Sequence, residues 1–271
     1  MKYLFLFSFL LITITANAQQ KTRLKEVISL VMPDDAGARA ASLAWHPVLK
    51  RYYAPKSGNA DYVMAIFDAK GKLVSPPELK TNFDIRGFWY NPKLKTFCAN
   101  GYNDNGWITY TLDKKGIPVG INPICDSMCQ PYPQSVGSFD VTKDLVYFLD
   151  GQQIVIYSSA GQLQQTKIRL HINYKNEAEE EAAAYDDDEA NETPENINNS
   201  VVVYTGMPKA EFALLDFSNK TIQLYDKRSG FLTKKLSLPA NAPVNEMLCF
   251  SYCNNIFWLF DMKTKTWKGY K

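Results

Sequence analysis

Arrangements of side chains able to trade protons, attack a carbonyl or hold a metal are few in this sequence. The chain of 271 residues has two histidines, His46 and His171, which leaves little material for a histidine-based triad. No nucleophile elbow, metalloprotease helix or phosphate loop occurs. Among the 28 acids, Asp84, Asp140 and Glu246 fall at or beside the starts of three repeats described below. Brought together, two such carboxylates could serve glycoside hydrolysis. Ordinary turn or cap chemistry is the bland alternative for each.

The five cysteines stand at 98, 125, 129, 249 and 253, so at least one stays unpaired within a single chain. Cys125 and Cys129 sit in the Pro-rich connection "NPICDSMCQPYP", where a loop can bring two α-carbons within bridging distance; this is the expected disulfide. Cys249 and Cys253 share that spacing but fall in a predicted strand. Four extended residues span about 13 Å, too far for a direct bond. They and Cys98 are expected as buried thiols. With no histidine beside either pair, no zinc site is expected and no cofactor is assigned.

A third set of residues suits binding. Trp45, Trp89, Tyr90, Tyr204 and Tyr252, with His46 and Arg86 beside them, are aromatic platforms with polar neighbours, a combination that fits sugars or peptides. Packing between elements is the competing use for any one of them.

The elements that must position these residues are written in a repeat. "FDAKGKLV" at 67–74 returns as "LDKKGIPV" at 112–119, 45 positions later. At the same offset Pro47 meets Pro92, Leu49 meets Leu94, Lys50 meets Lys95, Asp68 meets Asp113 and Gly71 meets Gly116. Fainter copies lie at 137–170, 200–239 and 246–271. In the repeated turn, Asp accepts hydrogen bonds from the backbone and Gly tolerates the exit geometry. Between the turns lie "YVMAIF", "LVYFL", "EFALL" and "NIFWLF", continuous apolar runs of strand length, as expected of strands buried on both faces. Repeats of 40 to 45 residues with about four such strands each describe propeller blades.

The sequence therefore resembles the β-propeller superfamily, through its repeat architecture and through no single family's motif. "IFWLFDMKTKTW" is similar to the end of a kelch repeat, but the paired glycines of kelch are absent, as are the Gly-His and Trp-Asp pairs of WD40. The last repeat is one strand short, and residues 24–33 have the texture of an outermost strand. The expected fold is all-β: a five-bladed propeller closed by the N-terminal strand, with a six-bladed or open ring as the alternative. In such a ring first strands line the channel. That would place the aromatic set there, and the resemblance to five-bladed glycosidases would make Asp84, Asp140 and Glu246 its central carboxylates.

Lys2, the apolar run at 3–14 and the small-residue site Ala16-Asn17-Ala18 read as a signal peptide over 1–18. The run is shorter than the roughly 20 residues that span a bilayer, so no membrane span is expected and the mature protein should be secreted or periplasmic. Residues 19–271 read as a single propeller domain with one insertion. Residues 176–199 contain ten acids and no base, the composition of a disordered acidic loop. Asp186, Asp187 and Asp188 are hard ligands, but no glycine follows at the spacing a calcium loop needs.

Without the insertion, the chain after residue 18 has 29 Lys and Arg against 18 Asp and Glu, a body charge of +11. Such an excess fits an anionic glycan or an envelope protein as partner, and equally fits lysines that decorate turns. No nucleic-acid motif accompanies it. The expectation is an exported, non-enzymatic binding propeller, with the glycoside-active propeller as its alternative.

Overall fold

The computed structural model describes residues 22–33, 39–172, 201–244 and 249–271. The expected leader, the acidic segment 176–199 and Glu246 lie outside them. Five sheets succeed one another along the chain, and each is here called a blade with strands a to d from the channel outward. Blade 1 contains Ala44–His46, Arg51–Ser57 and Met64–Asp68, with Arg39–Ala40 beside the far end of the second. Blade 2 contains Ile85–Asn91, Thr96–Gly101, Trp107–Leu112 and Pro118–Cys125. Blade 3 contains Ser138–Asp140, Leu145–Asp150, Gln153–Ser158 and Ile168–Arg169. Blade 4 contains Val203–Tyr204, Phe212–Asp216, Thr221–Tyr225 and Leu232–Ser237. Blade 5 contains Phe250–Cys253, Ile256–Asp261, Thr266–Tyr270 and, from the other end of the chain, Glu26–Val31.

That last pairing closes the ring. Glu26–Val31 runs antiparallel to Thr266–Tyr270, with Leu30 opposite Trp267 and Val31 opposite Thr266. Leu30 is buried and Val31 is exposed, as strand alternation requires for an edge with one covered face. The segment does more than the sequence suggested. Thr22–Arg23 lies parallel to the edge of blade 4, Thr22 opposite Leu236, so one N-terminal stretch ties two blades together.

The continuous apolar runs are explained by what flanks each blade. Side chains alternate along a strand, and here both sides face another blade. Tyr52 turns toward blade 5, its ring centroid 5.0 Å from Trp258. Its neighbour Tyr53 turns toward blade 2, 4.1 Å from Phe97. Cys98 and Trp107 likewise pack with Phe148 of blade 3, while Tyr147 packs with Phe212 of blade 4.

The repeated turn has a twofold cause. Asp68 Oδ1 accepts hydrogen bonds from the amides of Lys70 and Lys72 at 2.8 and 3.0 Å, and Asp113 Oδ1 does the same for Lys115 and Ile117 at 2.8 and 2.7 Å. These bonds favour the charged carboxylate, and for Asp68 they lower the pKa. The glycine that follows answers a packing demand. Gly71 has φ +86°, and a Cβ there would lie 2.7 Å from the carbonyl oxygen of Ser29 on blade 5. Turn and blade contact together select Gly.

The fourth strand expected of each repeat is incomplete in blade 1. Residues 73–79 do not form a full fourth strand of blade 1. They meet it at their two ends, where Leu73 bridges Phe67 and the Val74 amide donates to Ile66 O at 2.7 Å, and where Leu79 O accepts the Met64 amide at 3.0 Å. Pro76 and Pro77 lie between and have no N–H to give to a ladder.

Candidate functional site

Strand a of each blade touches strand a of the next, so the five first strands form a closed inner ring. Inside it is a cavity of about 310 Å³ to which all five strands contribute. Pro47, Pro92, Val141 and Asn254 line it from the turns between strands a and b, so the mouth lies on the face formed by those turns. Trp45, Trp89, Tyr90, Tyr204 and Tyr252 all line it.

Each of these aromatics is backed by its own or a neighbouring blade. Trp45 rests on Tyr52 at 4.4 Å, Tyr252 on Phe257 at 4.7 Å and Tyr204 on Tyr147 at 5.2 Å between centroids. Trp89 stacks on Phe139 at 6.1 Å. Trp45, Tyr90, Tyr204 and Tyr252 keep part of their surface open, whereas Trp89 is buried. The Trp89 Nε1–H has no hydrogen-bond partner among the described residues, although buried indoles usually find one. Trp107 and Trp267 are also unpartnered, but they lie in the blade cores, while Trp89 borders the cavity. Ser42, Ser138, Ser251 and Asn254 complete the lining; Ser138 Oγ accepts the Tyr204 amide, Ser251 Oγ exchanges hydrogen bonds with the Leu43 backbone, and Asn254 Nδ2 donates to Tyr52 Oη.

Two residues of the expected binding set stand elsewhere. His46 is buried behind Tyr90, centroids 4.5 Å apart, and its Nδ1 accepts the Leu49 amide at 3.3 Å to close the a–b turn. Burial lowers its pKa, so the ring stays neutral at physiological pH. It turns toward blade 2 because His46 follows Trp45 and successive side chains point to opposite faces of the sheet: Trp45 packs on Tyr52, and His46 on Tyr53 and Phe97. Arg86 begins at the other end of the channel. It pairs with Asp84 at 2.6 Å, donates to Gln134 at 2.7 Å and lies over the Tyr102 ring at 4.7 Å.

Asp84 and Asp140, the two acids of the expected set among the described residues, do not line the cavity. Asp84 is engaged with Arg86 and with the Gly58 amide at 2.8 Å. Asp140 is fully buried at the end of its strand. It accepts hydrogen bonds from Thr142 Oγ1 at 2.6 Å and Tyr147 Oη at 3.0 Å, and pairs with Lys227 at 3.2 Å. Burial alone would raise its pKa, but the bonds from Thr142, Tyr204 and Lys227 outweigh it and hold the carboxyl at about 2. Tyr204 responds in the opposite sense: burial first, then its hydrogen bond to Asp140, raises its pKa.

Cys125 and Cys129 form a disulfide, with α-carbons 6.8 Å apart. Cys98 and Cys249 are buried thiols, and Cys253 is a half-buried one lining the cavity. No group of three His, Cys, Asp or Glu is placed to hold a metal among the described residues. None of the described helices is long and apolar enough to cross a membrane. The lining residues the sequence reading missed, Phe139 and the turn prolines, had a signal in the repeat itself: Pro47 and Pro92 are register equivalents.

No family model and no curated protein matches the chain. Solved structures do. The glutaminyl cyclase of Myxococcus xanthus aligns over 93% of this chain and 98% of its own, at 7% identity and a TM-score of 0.55. A nidogen/laminin complex aligns over 76% of this chain and 66% of that one, at 12% identity and a TM-score of 0.43. An auxiliary nutrient binding protein from Bacteroides thetaiotaomicron aligns over 86% of this chain and 58% of that one, at 12% identity and 0.43. At these identities the likeness is one of fold. On the evidence of its own sheets and their closure, the chain is a five-bladed β-propeller.

Proposed function

We propose that this protein is an exported, non-enzymatic propeller that holds a ligand in the aromatic funnel at the a–b end of its channel. The observation that supports the reading is the cavity of about 310 Å³ walled by partly open aromatics from the inner ring, with Trp89 Nε1–H unpartnered beside it. A preformed cavity of that size, mostly apolar with a few polar groups, is the usual form of a small-ligand site. Export is supported by the leader-like residues 1–18 and by the Cys125–Cys129 disulfide, which persists in oxidising compartments. The glycoside-active alternative gains nothing from the positions of Asp84 and Asp140.

The test is a glycan and peptide array probed with the labelled protein, repeated with Trp45→Ala and Tyr252→Ala. Loss of the same hits in both variants at unchanged melting temperature supports the funnel. Hits that survive both substitutions place binding elsewhere and refute it. Secretion is tested by the mass of the exported protein, expected to begin at Gln19.

A further inference from the structure

The funnel mouth has a chemistry of its own. The a–b turns that form it carry Lys50, Lys93, Lys95 and Lys143, each within three residues of a lining Pro47, Pro92 or Val141, and all four are exposed. Only one acid shares these turns of blades 1 to 3. It is Asp144, which Lys93 already pairs at 3.1 Å. A further cation, Lys227, is fixed at the wall, its Nζ 5.5 Å from the centroid of the lining Tyr204. Between the lysines stand exposed apolar side chains: Val48 is 77% exposed, Leu94 54% and Val141 49%. At the other end of the same blades, the b–c turns carry Asp61 and Asp104 instead. In blades 1 to 3 the turns at the mouth are therefore basic where the b–c turns carry acids.

We propose that the funnel takes the end of an acidic oligosaccharide, a class of ligand that rests on the binding reading above and narrows it. The aromatic walls offer faces on which sugar rings stack, and Ser42, the Asn254 side chain and the Trp89 Nε1–H offer hydrogen-bond partners for hydroxyls. The cavity lies at the small end of the range for ligand sites, about 300 to 1,000 Å³, and so admits a terminal unit only. The remainder of the chain runs out over Lys50, Lys95 and Lys143, where carboxylates meet exposed ammonium groups. An acidic peptide such as hexaglutamate would satisfy the lysines but brings no ring to stack on the funnel's aromatics.

The experiment compares tri- to hexameric oligogalacturonate with its fully methyl-esterified form by calorimetry. The rings are the same and only the charge is masked. Three proteins are compared: the parent, the rim variant Lys50→Gln/Lys95→Gln/Lys143→Gln, and a control with equal charge change, Lys167→Gln/Lys234→Gln/Lys263→Gln, placed on outer strands and the opposite turns. The acid form is expected to bind the parent about tenfold tighter than the ester, and the rim variant about tenfold more weakly, since each exposed pair contributes modestly. The control should change affinity less than twofold, and binding should weaken as salt rises. The proposal is overturned if the acid form does not bind, if the ester binds as tightly, if the control loses as much as the rim variant, or if hexaglutamate competes as well as the sugar. Tyr252→Ala separates the two readings: if it abolishes binding of acid and ester alike while they bind the parent equally, only the acidic-ligand inference fails. If it leaves the affinity for both unchanged, the funnel itself is refuted.

Discussion

Lys227 of blade 4 reaches across the seam to Asp140 of blade 3, Nζ to Oδ2 at 3.2 Å, and the carboxylate it meets is fully buried. The same ammonium lies 4.6 Å from the Tyr147 ring centroid and also contacts the Tyr147 hydroxyl. A single polar cluster thus joins two blades beside the cavity wall. Lys227→Met should cost about 1–3 kcal/mol, because a buried carboxylate loses one charge-assisted partner and keeps the others. Urea midpoints of the two proteins check this.

Asp140 also sets a pH dependence. Its folded pKa, about 2, lies below the ordinary aspartate value of about 3.9, so its contribution to stability is complete above about pH 4 and is lost as pH falls through 2. Replacing it with Asn removes that proton linkage. The stability of Asp140→Asn should therefore fall less steeply with acid over this window than the parent's, measured by urea unfolding at stepped pH.

Ring closure gives a contrast within one strand. Leu30 is buried against Trp258 and Trp267, and Val31 beside it is 64% exposed. Leu30→Ala should cost about 2–5 kcal/mol, whereas Val31→Ala should stay within about 0.5 kcal/mol. Removing everything up to residue 36 should lower the melting temperature of the whole domain.

The turn glycines separate strain from contact. Gly151 has φ +57° and nothing within 4 Å of a built Cβ, whereas at Gly230, φ +73°, the Cβ would fall 1.9 Å from the Arg169 carbonyl oxygen. Gly151→Ala should cost about 1–2 kcal/mol from the left-handed conformation alone. Gly230→Ala adds a backbone collision between blades 4 and 3 and should cost about 2–5 kcal/mol. Thermal melts of the two variants distinguish the effects.

Thiol labelling reports on burial. Burial pushes Cys98 and Cys249 up to about 12 and raises Cys253 as well. Because the thiolate is the reactive form, all three should alkylate slowly in the folded protein at pH 8. Half-buried Cys253 should be the first to react. Peptide mass mapping after timed alkylation gives the order.

What the sequence by itself determined was the repeat and everything that follows from local periodicity. The 45-residue offset fixed the blades, the apolar runs announced strands covered on both faces, and a repeat one strand short named the segment that closes the ring. Those are properties of neighbouring residues, which hydrogen-bond and alternate by rules of period 2. Five aromatics of the cavity were legible for the same reason, since they lie on first strands. What only the tertiary structure decided was direction and company. Which neighbouring blade a first-strand residue turns toward depends on its parity in that strand, which sends Trp45 to the blade 5 side with Tyr52 and His46 behind Tyr90. Asp140 reads as an open carboxylate until Lys227, 87 residues away, is folded against it. Arg86 lies on an inner strand yet at the wrong end, held there by Asp84. The second pairing of the N-terminal stretch, Thr22 beside Leu236, had no periodic signal at all, because two residues of parallel strand carry no pattern and gain their place only from the edge that blade 4 leaves open.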